Sequence, residues 1–136
     1  MFHLIEEFLL HQAGDVIREE TATRCIDYAL SNIVHQPTSR RLHQLSEEIG
    51  YSQKHFIDLF RQQVGVTPKQ YLKIMRFQKA ICAIERERFI PWNRISLESG
   101  YYDQAHFIHD FKHFSGFTPN EYLKRKTATL NYVPMA

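Results

Sequence analysis

The sequence predicts an all-α protein: two helix-turn-helix subdomains joined by a long connecting helix and preceded by an N-terminal helical segment. Two observations carry that expectation. Apolar residues recur at helical spacing through most of the 136 residues, with only 5 Gly and 5 Pro to punctuate them, and no stretch shows the two-residue alternation of a strand. A segment is also written twice, as GYSQKHFIDLFRQQVGVTPKQYLK at 50–73 and GYYDQAHFIHDFKHFSGFTPNEYLK at 100–124. From His55/His106 through Phe60/Phe111, Gly65/Gly116, Thr67-Pro68/Thr118-Pro119 and Tyr71/Tyr122 the offset is a constant 51. Gly50 and Gly100 are 50 apart, so the second copy carries one extra turn residue.

Taken in chain order, Leu4, Ile5, Phe8 and Leu9 predict a short amphipathic helix that Gly14 and Asp15 interrupt. Thr21, Cys25, Tyr28, Ala29 and Ile33 continue on a second helix, and Pro37 with Thr38 and Ser39 marks a boundary. We therefore expect an acidic helical connector over 1–37, a first subdomain with its connecting helix over 38–88, and a second subdomain over 89–136. In the first subdomain a helix around Leu42–Ile49 turns at Gly50-Tyr51 into a helix from Gln53 to Val64, with Ser52 as N-cap. Gly65 then ends that helix, and Thr67-Pro68 starts the next as N-cap and first helical residue, running to about Arg86. Ile90-Pro91-Trp92 breaks it. The same order restarts with a helix at Ile95–Ser99, a turn at Gly100–Tyr102, Asp103 as N-cap, a helix to Phe114, and a last helix opened by Thr118-Pro119.

The formal charge of +2 hides an asymmetry: residues 38–126 hold 15 Lys/Arg against 9 Asp/Glu, a net +6, whereas residues 1–37 hold 2 against 6, a net −4. The repeated part is the basic part, as phosphate binding requires. No apolar run approaches the roughly 18 residues of a membrane span, and the start FHLIEEFLLHQ is too acidic for a signal peptide. A cytoplasmic, reducing setting with no membrane partner is expected, with Cys25 and Cys82 as small buried hydrophobes. No paired-carboxylate, nucleophile-and-base or Gly-rich phosphate pattern stands out, so neither an enzyme nor a cofactor is expected. His106, His109 and His113 have a spacing that can gather a metal, but no carboxylate or Cys cluster completes a site.

In a helix-turn-helix the first helix braces the second, whose outer face enters the major groove of DNA. Ser46 and Ser96 are small enough for that brace, and Gly50 and Gly100 suit the turn. Phe56, Leu59, Phe60 and Val64 in the first copy, and Phe107, Phe111 and Phe114 in the second, form the inward face. The outer face holds Lys54, Ile57, Asp58 and Arg61 in one copy and Ala105, Ile108, His109 and Lys112 in the other, with Gln53 and Gln104 at the helix entries. Ile57 and Ile108 either meet thymine methyl groups or pack on a neighbouring helix. Lys54, Gln104 and His109 suit base edges; Arg61 and Lys112, farther along, suit phosphate. Asp58 either accepts from cytosine N4 or pairs with Lys54 or Arg61 and orients them.

These residues resemble the DNA-binding domain of the AraC/XylS family of bacterial transcription regulators over about residues 38–126. The most specific part is GYYDQAHFIHDFKHFSGFTPNEY, with its Gly-Tyr, its Asp cap, its two Phe, the basic residue after the second and the Gly-x-Thr-Pro-x-x-Tyr ending. The resemblance implies two subdomains on a rigid helix, each reading one of two successive major grooves of double-stranded DNA. It places base contacts at Gln53, Lys54, Ile57, Asp58, Gln104, Ala105, Ile108 and His109, and phosphate contacts at Arg61, Lys112 and the helix starts at Thr67 and Thr118. The chain departs from it at Asp58 and His109, where some relatives have arginine. RNA polymerase is a further partner the family allows. Residues 1–37 are too short for the effector or dimerisation domain many relatives carry; the chain is either a C-terminal piece of a longer regulator, with 1–37 resembling an interdomain connector, or a short stand-alone member that acts as a monomer. Two alternatives stay open: a helical interaction module of this fold that has lost specific DNA binding, and an alkylation-repair protein, which would need a reactive cysteine.

Overall fold

The computed structural model describes residues 2–131, with side chains to 128; Met1 and residues 132–136 of the expected second subdomain lie outside them. The described residues form seven α-helices and no strand: α1 (Phe2–His35), α2 (Ser39–Ile49), α3 (Gln53–Val64), α4 (Pro68–Arg86), α5 (Trp92–Glu98), α6 (Gln104–Ser115) and α7 (Pro119–Asn131). The chain makes two compact units, Met1–Leu72 and Lys73–Ala136. The connecting helix α4 gives its first turn to one unit and the rest to the other.

Local chemistry fixes the helix ends. Ser52 Oγ accepts from the His55 N–H at 3.1 Å, and Asp103 Oδ1 accepts from the His106 N–H at 2.7 Å. Gly50 and Gly100 hold φ of 78° and 96° at the turn of each copy, a left-handed conformation that a side chain would strain. At the start of α4 the Thr67 hydroxyl accepts from the Gln70 N–H while Gln70 Oε1 accepts from the Thr67 N–H. Thr118 and Glu121 repeat this at α7. Each is a reciprocal capping box, which satisfies two otherwise orphaned donors.

The first unit buries Ile26, Ala29 and Ile33 of α1 against Leu45, Phe56, Phe60 and Leu72. The second is built on Ala80, Ile84, Ile95, Tyr101, Phe107 and Phe111, with Trp92 and Tyr122 packed against them. The brace residues behave as expected: Ser46 and Ser96 are buried, and Ser96 Oγ donates to the Asp103 carbonyl at 3.0 Å, tying α5 to the cap of α6.

Three expectations are corrected. Gly14 and Asp15 do not interrupt the N-terminal segment, because α1 is one helix of 34 residues. A lone Gly costs a helix only about 1 kcal/mol, and the contact of His11 Nδ1 with Asp15 Oδ2 at 3.2 Å spans the site at helical spacing. Phe114 is 38% exposed, although its ring meets Phe77 at 5.4 Å. Cys82 is exposed and Cys25 half-buried, since Cys82 lies about 200° round the helix from buried Ala80.

A polar network clamps α1 to α2. The Tyr28 hydroxyl donates to Glu48 Oε2 at 2.9 Å, and Arg41 donates to Glu48 Oε1 at 2.7 Å and to Asn32 Oδ1 at 2.5 Å. The Arg41 hydrogen bond, then that of Tyr28, holds the Glu48 carboxyl below its ordinary 4.5. A depressed carboxylate stabilises the fold above its ordinary value and loses that contribution as the pH falls through the lower folded value. Acid below pH 4.5 should therefore loosen α1 from α2, whereas Glu48→Gln should weaken the unit slightly at pH 7 and flatten its acid limb. Thermal unfolding against pH checks this; an identical acid limb in the variant contradicts it.

Candidate nucleic-acid interface

The second helix of each repeat, α3 or α6, is anchored on one side and bare on the other. Phe56 and Phe60 are buried in the first unit, Phe107 and Phe111 in the second. The opposite faces carry Gln53, Lys54, Ile57, Asp58 and Arg61 on α3 and Gln104, Ala105, Ile108, His109 and Lys112 on α6, all exposed. The sequence-derived residues thus form one contiguous face per helix.

Ile57 and Ile108 are each 39% exposed. One side of each forms the wall of a groove between the recognition helix and the start of the following helix, Thr67-Pro68 or Thr118-Pro119. The other side stays open. Of the two alternatives raised for these isoleucines, packing on neighbouring structure is met in part, and the rest of each side chain is exposed beside the cations.

Asp58 takes no ion pair among the described residues, nor do Lys54 and Arg61, so the expected orienting pair is not made. All three side chains are exposed on a helix surface, where such a pair is worth only a few tenths of a kcal/mol. Its carboxylate is left available as an acceptor. At the helix starts, Thr67 and Thr118 are half-buried and their N–H groups are already bonded in the capping boxes. The two starts differ in charge: Gln70 is neutral, whereas Glu121 adds a carboxylate to the first turn of α7, where an incoming phosphate would be repelled.

A polar cluster behind α6 escaped the sequence reading. Asp110, on the buried side of α6, has Oδ2 3.3 Å from His106 Nε2 and Oδ1 3.5 Å from His109 Nδ1. The approach to His106 is close but not aligned as a hydrogen bond, and Oδ2 and the Tyr101 hydroxyl have no hydrogen-bond partner among the described residues. Arg76, 4% exposed, lies over the Tyr101 ring at 5.8 Å. Burial pulls the Arg76 guanidinium below its ordinary value, while Tyr101 and Asp110 oppose that shift. Burial, then the Asp110 charge, pushes the Tyr101 hydroxyl well above its own. His106 Nδ1 accepts from the Tyr102 N–H at 3.2 Å, which leaves Nε2–H to face the carboxylate. The cluster fixes the turn and α6 together. The signal was present in the repeat, since Asp110 stands where the first copy has Leu59. No three His, Cys, Asp or Glu side chains converge as a metal site among the described residues.

Two repeated units, each a brace helix and a recognition helix joined by a glycine turn, define a helix-turn-helix protein. The chain matches the family described as a helix-turn-helix domain over residues 45–125. It is 30% identical over 123 residues to an uncharacterised transcriptional regulator of Haemophilus influenzae, covering 90% of this chain and 40% of that protein. It is 27% identical over 112 residues to one from Staphylococcus aureus, covering 82% of this chain and 14% of that protein. The chain thus spans well under half the length of these relatives. Among solved structures, the DNA-binding domain of AdpA in complex with a target DNA aligns with a TM-score of 0.67 at 19% identity, over 82% of this chain and 97% of that one. A DNA-binding transcriptional dual regulator of Escherichia coli aligns with a TM-score of 0.57 at 27% identity, over 79% and 93%. The chain belongs to the AraC-type helix-turn-helix family of DNA-binding transcription regulators, which is not a class of enzymes. No described helix is long and apolar enough to cross a membrane.

Proposed function

We propose that this chain binds double-stranded DNA sequence-specifically to regulate transcription, with α3 and α6 reading successive major grooves of an asymmetric site. The observation that carries this is the pair of bare helix faces, each mixing a cation, an isoleucine and an amide, on helices whose other sides are locked by buried Phe pairs. Gln53, Lys54, Ile57 and Asp58 read bases for α3; Gln104, Ala105, Ile108 and His109 do so for α6. Arg61 and Lys112 hold the backbone, helped by the neutral helix start at Thr67 more than by the start at Thr118, where Glu121 stands. The fold shared with a domain solved on its target DNA supports this reading. The connector at 1–37 and the subdomains at 38–88 and 89–136 are its parts, with RNA polymerase as a further partner.

Two substitutions separate base reading from backbone contact. Ile108→Ala should weaken binding by about 1–3 kcal/mol and relax preference at a T-containing step, whereas Lys112→Ala should weaken all sequences alike and reduce the salt slope by about 1. Both are read by titrating labelled duplexes at several salt concentrations. Equal losses on every sequence would remove Ile108 from base contact, and no binding by the parent chain at about 50 mM salt would favour an interaction module without DNA binding.

A further inference from the structure

The duplication provides an internal comparison that singles out one groove. Beside α3, the groove walled by Leu42, Phe56, Ile57 and Pro68 has a volume of about 390 Å³. Its counterpart beside α6, walled by Trp92, Phe107, Ile108 and Pro119, has about 200 Å³. The large Trp92 ring stands where the first copy has Leu42, 50 residues earlier, and packs on Phe107 with ring centres 6.1 Å apart. Small-molecule sites occupy roughly 300–1,000 Å³, so the first groove falls within that range and the second below it.

The rims differ as well. Lys69 borders the first groove, is exposed and makes no ion pair among the described residues. Asn120 takes its place in the second. His43 also lines the first rim, but it faces Glu47 at 3.4 Å, so Lys69 supplies the uncompensated charge. An apolar floor with one free cation at its edge complements an amphipathic monoanion.

We propose that the first groove is a ligand site for a one- or two-ring aryl carboxylate, its ring on Leu42, Phe56 and Ile57 and its carboxylate at Lys69. Gln53 and Ile57 belong both to the groove and to the face assigned to DNA. Ligand and DNA therefore exclude one another, a consequence that rests on the function proposed above, whereas binding in the groove does not.

The test is a ¹H–¹⁵N NMR titration of the intact chain with 2-naphthoate and with neutral 2-naphthamide. Naphthoate should shift amides around Leu42, Phe56 and Ile57 and leave those around Trp92, Phe107 and Ile108 unmoved. Naphthamide should bind about threefold to fivefold more weakly, the worth of an exposed ion pair, and Lys69→Asn should reduce naphthoate binding by the same factor. Leu42→Trp, which copies the second groove, should abolish the shifts; should that variant not fold, Lys69→Asn and the naphthamide comparison decide. Absent shifts, equal shifts in both grooves, or equal affinity for the two probes would overturn the site. In a parallel anisotropy assay naphthoate should release a bound duplex from the parent chain but not from Leu42→Trp. Release from neither overturns the competition alone. A parent chain that binds naphthoate but no duplex overturns the DNA reading and leaves the ligand site standing.

Discussion

Phe111→Ala is expected to cost the second unit about 3–5 kcal/mol, the usual penalty for emptying a buried aromatic site. The side chain is fully buried, and its ring meets Phe77 at 5.2 Å, Phe107 at 5.6 Å and Tyr122 at 5.5 Å. Those rings come from the connecting helix, from α6 and from α7, so one truncation removes the contact that all three helices share. A unit this small has a stability of only about 5 kcal/mol to lose. Denaturant unfolding should show a midpoint close to zero denaturant for the variant. A loss below about 1 kcal/mol would mean that the ring does not organise this core.

Asp110→Leu is expected to be nearly as damaging, for the opposite reason. It installs the residue that the first copy carries at the same place, Leu59, yet it removes one of the two groups, after Tyr101, that oppose the effect of burial on the Arg76 guanidinium. Leaving a buried charge less compensated costs up to about 3 kcal/mol, while replacing both charges by apolar residues is often neutral. The double variant Arg76→Met/Asp110→Leu should therefore recover most of the loss, a coupling that a double-mutant cycle measures directly. Additive losses would show that Asp110 acts only through His106 and the turn.

The fold was legible because its boundaries are set by local rules. Ser52 and Asp103 as caps, Gly50 and Gly100 as left-handed turn residues, and Thr-Pro at the starts of α4 and α7 each need only a few neighbouring residues to be read. The inward Phe56, Phe60, Phe107 and Phe111 followed from helical spacing, and so did the outward faces of α3 and α6. What was not legible depended on tertiary surroundings. Leu59 of the first copy becomes Asp110 in the second, and Gln63 becomes Phe114. A polar residue thus went inside, with His106 3.3 Å from it and its charge opposing the effect of burial on Arg76, and an aromatic stayed partly outside against Phe77. Gly14 looked like a break because helix propensity is a weak prior when nothing else ends the helix. The ion pair expected of Asp58 failed because helical reach permits such a contact without making it favourable in water.

The two grooves show the same principle at the site. Leu42 read as an ordinary apolar residue of a brace helix and Trp92 as part of the break before one, although α5 starts at Trp92, and their difference in size matters only once α3 and α6 stand beside them. The repeat is the same in its core residues and differs in its outer faces, Lys54 against Ala105 and Asp58 against His109.

The most direct test of two unlike readers is selection from a random duplex pool by the intact chain, with binding repeated from low to physiological salt. The account predicts an enriched site with two unequal elements about one helical turn apart, and a binding constant that falls steeply with salt. Recovery of two identical elements, or of no sequence preference, would contradict it.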